Sequence, residues 1–210
     1  MSHEQKRLKE HSMATTTAVA QQAAAAVTAF LESWPGSVAV HNVEADPAYQ
    51  AYDVDLLWTV RDGHGRLRVI PIEIKGDRYH HTGNFFFETI SNESKGTPGC
   101  FLYTGAKWLF YYFVGNGRLY CLPMDKVRPW FHENMDRFEE RRTSTPVGED
   151  AYVTVGRLAP ITAVLEEVDG VLVYENRDGK FSNIQHSTEL LIIRPLKKQL
   201  RQMMHNQASN

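Results

Sequence analysis

The chain predicts an α/β fold, a mixed sheet flanked by helices, and three features carry that expectation. Two alternating segments, residues 53–60 and 67–75, are joined by Arg61-Asp62-Gly63-His64-Gly65-Arg66, which reads as a hairpin loop. From Thr15 to Trp34, Val19, Ala23, Ala26, Val27, Phe30 and Leu31 recur at helical spacing, threonines offer an N-cap and Pro35-Gly36 stops the element. Two apolar aromatic runs, residues 99–103 and 108–114, fit buried strands.

The remaining elements follow in order. Residues 1–13 are polar and charged and predict a disordered lead, residues 14–195 one domain, and residues 196–210 a basic, polar tail. Lys6-Arg7-Leu8-Lys9 ahead of an alanine-rich run imitates a signal peptide, but Gln21-Gln22 interrupts that run and Glu4 and Glu10 spoil the basic segment. Ser37–His41 predicts a short strand and residues 42–50 a polar loop. Residues 84–92, Asn-Phe-Phe-Phe-Glu-Thr-Ile-Ser-Asn, are placed in a helix near 85–94 that follows the hairpin. Gly115-Asn116-Gly117 turns the chain into a strand at 118–122. Residues 125–142 read as a helix with Val127, Trp130, Phe131, Met135 and Phe138 on one side, its charged end at 137–142 a solvated face. A strand at 151–155, a helix at 161–168 and a strand at 170–174 complete the domain.

A chain of 210 residues, 42% hydrophobic and 23% charged, suits a single domain with a sizeable core. Its formal net charge of −2 excludes a grossly basic nucleic-acid coat, so any such contact must come from a local patch. Two cysteines, Cys100 and Cys121, imply neither a disulfide framework nor a cysteine-built zinc site. A reducing, cytoplasmic location is expected, and no stretch has the apolar length of a membrane span.

The chemistry centres on Pro71-Ile72-Glu73-Ile74-Lys75-Gly76. On a strand, Ile70, Ile72 and Ile74 share one face and Glu73 and Lys75 the other, and the hairpin brings Asp55 close to both. Hard carboxylate oxygens suit Mg²⁺ or Mn²⁺: Asp55 and Glu73 supply them, and the Ile74 carbonyl can add a third ligand. Lys75 can orient or deprotonate an attacking water. Asp53 is the rival metal acid, Glu32 near the end of the first helix is a remote candidate, and the bland alternative is a solvent-exposed Glu–Lys pair worth little. His80-His81 lack a third ligand at zinc spacing and read as a loop pair touching phosphate.

Asp55, a strand-turn-strand and Glu73-Ile74-Lys75 together resemble the PD-(D/E)XK nuclease superfamily, the restriction-endonuclease-like fold, although Val54 stands where the motif's proline would be. The resemblance implies a Mg²⁺- or Mn²⁺-dependent nuclease with Asp55, Glu73, Lys75 and Glu88 catalytic and with Asp55, Glu73 and Ile74 at the metal. It places Glu88 on the helix after the hairpin, with Ser91, Asn92 and Lys95 one or two turns on, suited to phosphate. Arg78, Lys95 and Lys107 flank the site as a basic patch. DNA is the expected partner and RNA the alternative, with no membrane; homodimerisation is left open. The competing reading is a catalytically silent module of this fold that binds nucleic acid or a protein.

Overall fold

The computed structural model describes residues 9–10, 13–147 and 150–184; the expected tail at 196–210 and most of the expected lead lie outside them. In chain order the elements are β1 (Lys9–Glu10), α1 (Met13–Ser33), β2 (Ser37–Asn42), α2 (Pro47–Gln50), β3 (Leu56–Arg61), β4 (Leu67–Asp77), β5 (Asn84–Asn92), β6 (Thr97–Pro98), α3 (Cys100–Tyr103), β7 (Trp108–Phe113), β8 (Arg118–Pro123), α4 (Met124–Asn134), β9 (Glu139–Val147), β10 (Asp150–Pro160), α5 (Ile161–Glu167), β11 (Leu172–Arg177) and β12 (Lys180–Asn183). No helix among the described residues is long and apolar enough to cross a membrane.

The larger sheet is mixed and runs β12-β11-β8-β7-β4-β3-β2. β3 and β4 pair antiparallel, Leu56 opposite Ile72 and Arg61 opposite Leu67, across the expected hairpin turn. β4 then pairs with β7 in parallel, so that Glu73 lies beside Leu109 and Lys75 beside Tyr111. α1 covers one face, packing Ala23, Val27, Phe30 and Leu31 onto Leu56, Trp58, Ile72, Phe110 and Tyr112. Gly76 makes that approach possible: a Cβ there would meet the Val19 carbonyl at 2.8 Å and the Ala23 methyl at 2.9 Å.

The opposite face, which bears Leu109, Tyr111 and Phe113, is covered by Phe85 and Phe87 of β5, Phe101 of α3, Val127 and Phe131 of α4 and Val164 of α5. β5 belongs to a second sheet, of order β1-β9-β10-β5-β6. Around Glu73 both faces of β4 are therefore roofed, and the exposed Glu–Lys pair is ruled out, since Glu73 is only 7% exposed.

Several expected elements differ. Residues 84–92 form strand β5, not a helix. Their side chains alternate, Phe85 and Phe87 stacking in the core with ring centroids 5.4 Å apart while Asn84, Phe86 and Glu88 face the other way. Residues 99–103 form not a buried strand but the single turn α3, whose leading Gly99 sits against β5, where a Cβ would fall 2.3 Å from the Glu88 carbonyl. The helix expected over 125–142 stops at Asn134, passes through a 3₁₀ turn at Met135–Arg137 and becomes β9. The charge run there is not a solvated helix face, because Arg142 pairs with Glu93 and Glu140, and Arg157 of β10 with Glu140. The loop at 42–50 includes α2, whose Ala48 amide donates to the Asp46 side chain at 2.9 Å. β3 begins at Leu56, so Asp53 and Asp55 precede the strand on which they were expected.

Candidate metal centre and cleft

The β3–β4 hairpin and α3 converge on Glu73. Asp55 continues the ladder by one bond, its amide donating to the Ile72 carbonyl at 2.9 Å, and its Oδ2 accepts the Ile74 amide at 2.7 Å. The N–H and C=O of one strand residue point to the same edge, so the Ile74 carbonyl also lies on the side where Asp55 and Glu73 meet. Asp53 is held differently. It takes φ 52°, the left-handed region that aspartate tolerates better than most residues, and its carbonyl accepts the Thr104 hydroxyl at 2.7 Å. Thr104 directly follows α3, so α3 anchors the Asp53 turn while its first residue, Cys100, hydrogen-bonds the Asp53 carboxylate.

Asp53, Glu73 and Cys100 each bring a donor atom within 4.8 Å of the other two. Oδ2 of Asp53 and Oε2 of Glu73 are buried without a hydrogen-bond partner. A buried carboxylate oxygen left unpaired is costly, and a cation or a proton relieves it. The acids register this. Burial first, then the charges of Asp55 and Asp53, push the Glu73 carboxyl well above the usual carboxylate range. Burial likewise raises Asp53 against the hydrogen bond from Cys100. It raises Asp55 to about 6, against the Ile74 amide, which favours the charged form. Burial and then the Glu88 charge hold the Cys100 thiol far up, so at neutral pH it donates as a thiol.

Lys75 projects from the same face of β4 and pairs with Glu88 of β5, their side chains 29% and 16% exposed. Burial works against the ammonium, but the nearby Glu88, Cys100 and Glu73 outweigh it and lift the lysine above its ordinary value. At neutral pH Lys75 is a fixed cation, which makes it an orienting donor and not a base. Next along β4, Asp77 accepts the buried Tyr111 hydroxyl at 2.5 Å, and that oxygen accepts the Phe86 amide at 3.1 Å, tying β4, β7 and β5 together.

Glu73, Lys75 and Glu88 open into a cleft of about 400 Å³ between α1, β4 and the second sheet, walled by Arg78, Phe86, Arg141 and Tyr152 among others. That volume suits a nucleotide-sized group.

Of the sequence-predicted residues, the structure gathers Asp55, Glu73, Ile74, Lys75 and Glu88, with Glu88 arriving on a strand instead of a helix. Arg78 is at the cleft, its guanidinium 5.1 Å from the centroid of the Tyr79 ring. The others stand apart. Ser91 stands beyond the irregularity in the β5–β10 register, its carbonyl accepting the Thr154 hydroxyl at 3.1 Å. Asn92 accepts the Ser94 hydroxyl and the Lys95 amide and so caps the β5–β6 turn, on which Lys95 is exposed. The Lys107 amide donates to the Pro71 carbonyl at 2.8 Å while its side chain is exposed. Glu32 is exposed on α1, which packs against the face of the sheet opposite Glu73. His80 and His81 occupy a 3₁₀ turn between β4 and β5.

Cys100, Thr104, Arg141 and Tyr152 were not singled out from sequence. Only contacts between distant segments assemble them, and no local spacing marks them. No family model, curated protein or solved structure matches the chain.

Proposed function

We propose that this protein is a divalent-metal-dependent nuclease that hydrolyses phosphodiester bonds, DNA being the favoured substrate, and that it acts in the cytoplasm. The reading takes the mixed sheet and its flanking helices as a restriction-endonuclease-like fold, with Asp55 and Glu73-Ile74-Lys75 in the motif positions. The observation that carries it is the pair of buried, unpartnered carboxylate oxygens of Asp53 and Glu73 beside the Lys75 cation. Acidic oxygens short of partners and a protonated lysine together match what hydrolysis of a phosphate diester needs.

The residues fit Mg²⁺ or Mn²⁺: Glu73 with Asp55 or Asp53 would hold it, together with the Ile74 carbonyl. Such an ion, when bound, neutralises phosphate charge and makes a coordinated water more acidic. Lys75 donates hydrogen bonds that orient water or a phosphate oxygen, and Glu88 keeps it charged and aimed. Arg78 and Arg141 at the cleft supply positive charge for the flanking backbone. Phe86 and Tyr152 provide aromatic surface for a base.

One observation favours the catalytically silent module instead: Lys75 is already engaged by Glu88. Incubation of the purified chain with supercoiled plasmid, single-stranded DNA and RNA, in Mg²⁺, Mn²⁺ or EDTA, separates the two. Cleavage that requires the metal and disappears in Glu73→Gln supports the nuclease. Binding to nucleic acid with no cleavage of any substrate decides for the module.

A further inference from the structure

Cys100 is the one group of the cluster that the hydrolytic reading leaves without a task. Its position is built by the fold. Gly99 lets the chain press onto β5, where a side chain would collide with the Glu88 carbonyl at 2.3 Å, and the next residue brings its sulfur within 4.8 Å of a carboxylate oxygen of Asp53 and of Glu73. Thr104, at the other end of α3, clamps the Asp53 turn through its 2.7 Å hydrogen bond, so one short element sets both donors. Glu73, only 7% exposed, has its Oε2 buried without a hydrogen-bond partner, and one of its carboxylate oxygens lies within 4.8 Å of the Asp53 and Cys100 donor atoms.

We propose that Asp53, Glu73 and Cys100 form a mixed oxygen–sulfur site for a borderline divalent transition ion of the Zn²⁺ and Co²⁺ class. This rests on the carboxylates of the nuclease reading, though not on catalysis. Ligand bonds of about 2.0–2.3 Å place neighbouring donors roughly 3.5 Å apart, so atoms already within 4.8 Å of one another close on an ion by side-chain rotation alone. A sulfur in the set disfavours Mg²⁺, which prefers oxygen alone and keeps its waters. Binding breaks the Cys100 S–H bond, forms a metal–sulfur bond and releases the proton to solvent; nothing is oxidised or reduced.

Co²⁺ titrated into the full chain under reducing, oxygen-free conditions reads the site directly. The expected result is a near-ultraviolet thiolate-to-cobalt charge-transfer band at one ion per chain, displaced by Zn²⁺, abolished in Cys100→Ser and retained in Cys121→Ser. In the wild type, which avoids any folding defect of the variant, saturating Zn²⁺ slows alkylation of Cys100 by about tenfold or more, as a thiolate held by metal reacts poorly. Co²⁺ binding without the band, or unchanged alkylation, overturns the sulfur ligand while the oxygen-only nuclease site stands. Failure of Co²⁺, Zn²⁺ and Mn²⁺ alike to bind removes both.

Discussion

The β3–β4 hairpin and the second sheet stand on opposite sides of the same cleft, yet only the first was legible as a unit; of the second, the sequence announced just the strand at 151–155, which lies within β10. In the hairpin the pattern and the environment agree: Ile70, Ile72 and Ile74 turn to α1 and the turn chemistry is explicit in Asp62-Gly63. In β5 the side chains alternate over residues 84–88, but both faces carry aromatics, so Phe85, Phe86 and Phe87 look like one apolar block. The difference teaches that period two is decisive only when the two faces differ in polarity. A resemblance that expected a helix after the hairpin reinforced the wrong reading of that block.

The largest effect is expected where the two sheets meet. Phe87 stacks on Phe101 at 4.0 Å and meets Phe131 edge-on at 5.4 Å, so Phe87→Ala should cost about 3–5 kcal/mol in denaturant unfolding. A loss below 1 kcal/mol would mean that β5 is not part of the core that shapes the site. On the hairpin side, Gly76→Ala forces α1 away from β4, with an expected cost of about 1–3 kcal/mol in the same measurement. An unchanged midpoint would break the claim that α1 seats directly on the backbone of β4.

The acids give a pH test whose sign runs against ordinary acid denaturation. Burial lifts the folded-state Asp55 carboxyl to about 6 from its ordinary value of 3.8, and it raises Asp53 and Glu73 as well. The folded state therefore binds their protons more tightly than the unfolded state does. The destabilisation present above pH 6 is relieved as pH falls from about 6 towards 4. Glu167 and Asp62, lowered by Arg137 and Arg68 respectively, act in the opposite direction and lose their contribution only as pH falls below their ordinary values. The metal-free protein should melt a few degrees higher at pH 5 than at pH 7. Saturating Mn²⁺ should reverse that order, because it competes with the same protons. A metal-free melting point that falls steadily from pH 7 to pH 5 would show that these carboxylates are not buried together.

The smallest effect belongs to the β9 charges. Arg142 reaches Glu93 and Glu140 while half exposed, and Arg142→Ala should cost no more than about 1 kcal/mol. The run is a cross-strand surface network, so a large loss would give it a structural weight that its exposure argues against.

How much of the site was legible follows from the same contrast. Asp55, Glu73 and Lys75 stand out because a strand, a turn and a strand of readable period place them together. Glu88 was chosen for the wrong element but reached the site, since on β5 it lines the cleft with Asn84 and Phe86. Cys100 and the true setting of Asp53 left no trace in local pattern: one lies on a single helical turn that resembles a strand, the other in a left-handed turn just ahead of β3. Both depend on a Thr104–Asp53 contact that spans 51 residues.

Whether Lys75 serves chemistry, and not merely an ion pair with Glu88, is tested most directly by the cleavage rate of Lys75→Ala under saturating Mn²⁺. The expected result is a fold and a Mn²⁺ affinity close to wild type with cleavage slowed by about 10²-fold or more, as for loss of a positioned orienting donor. Cleavage by Lys75→Ala at the wild-type rate, or a wild-type protein that cleaves nothing, would contradict a chemical role for Lys75.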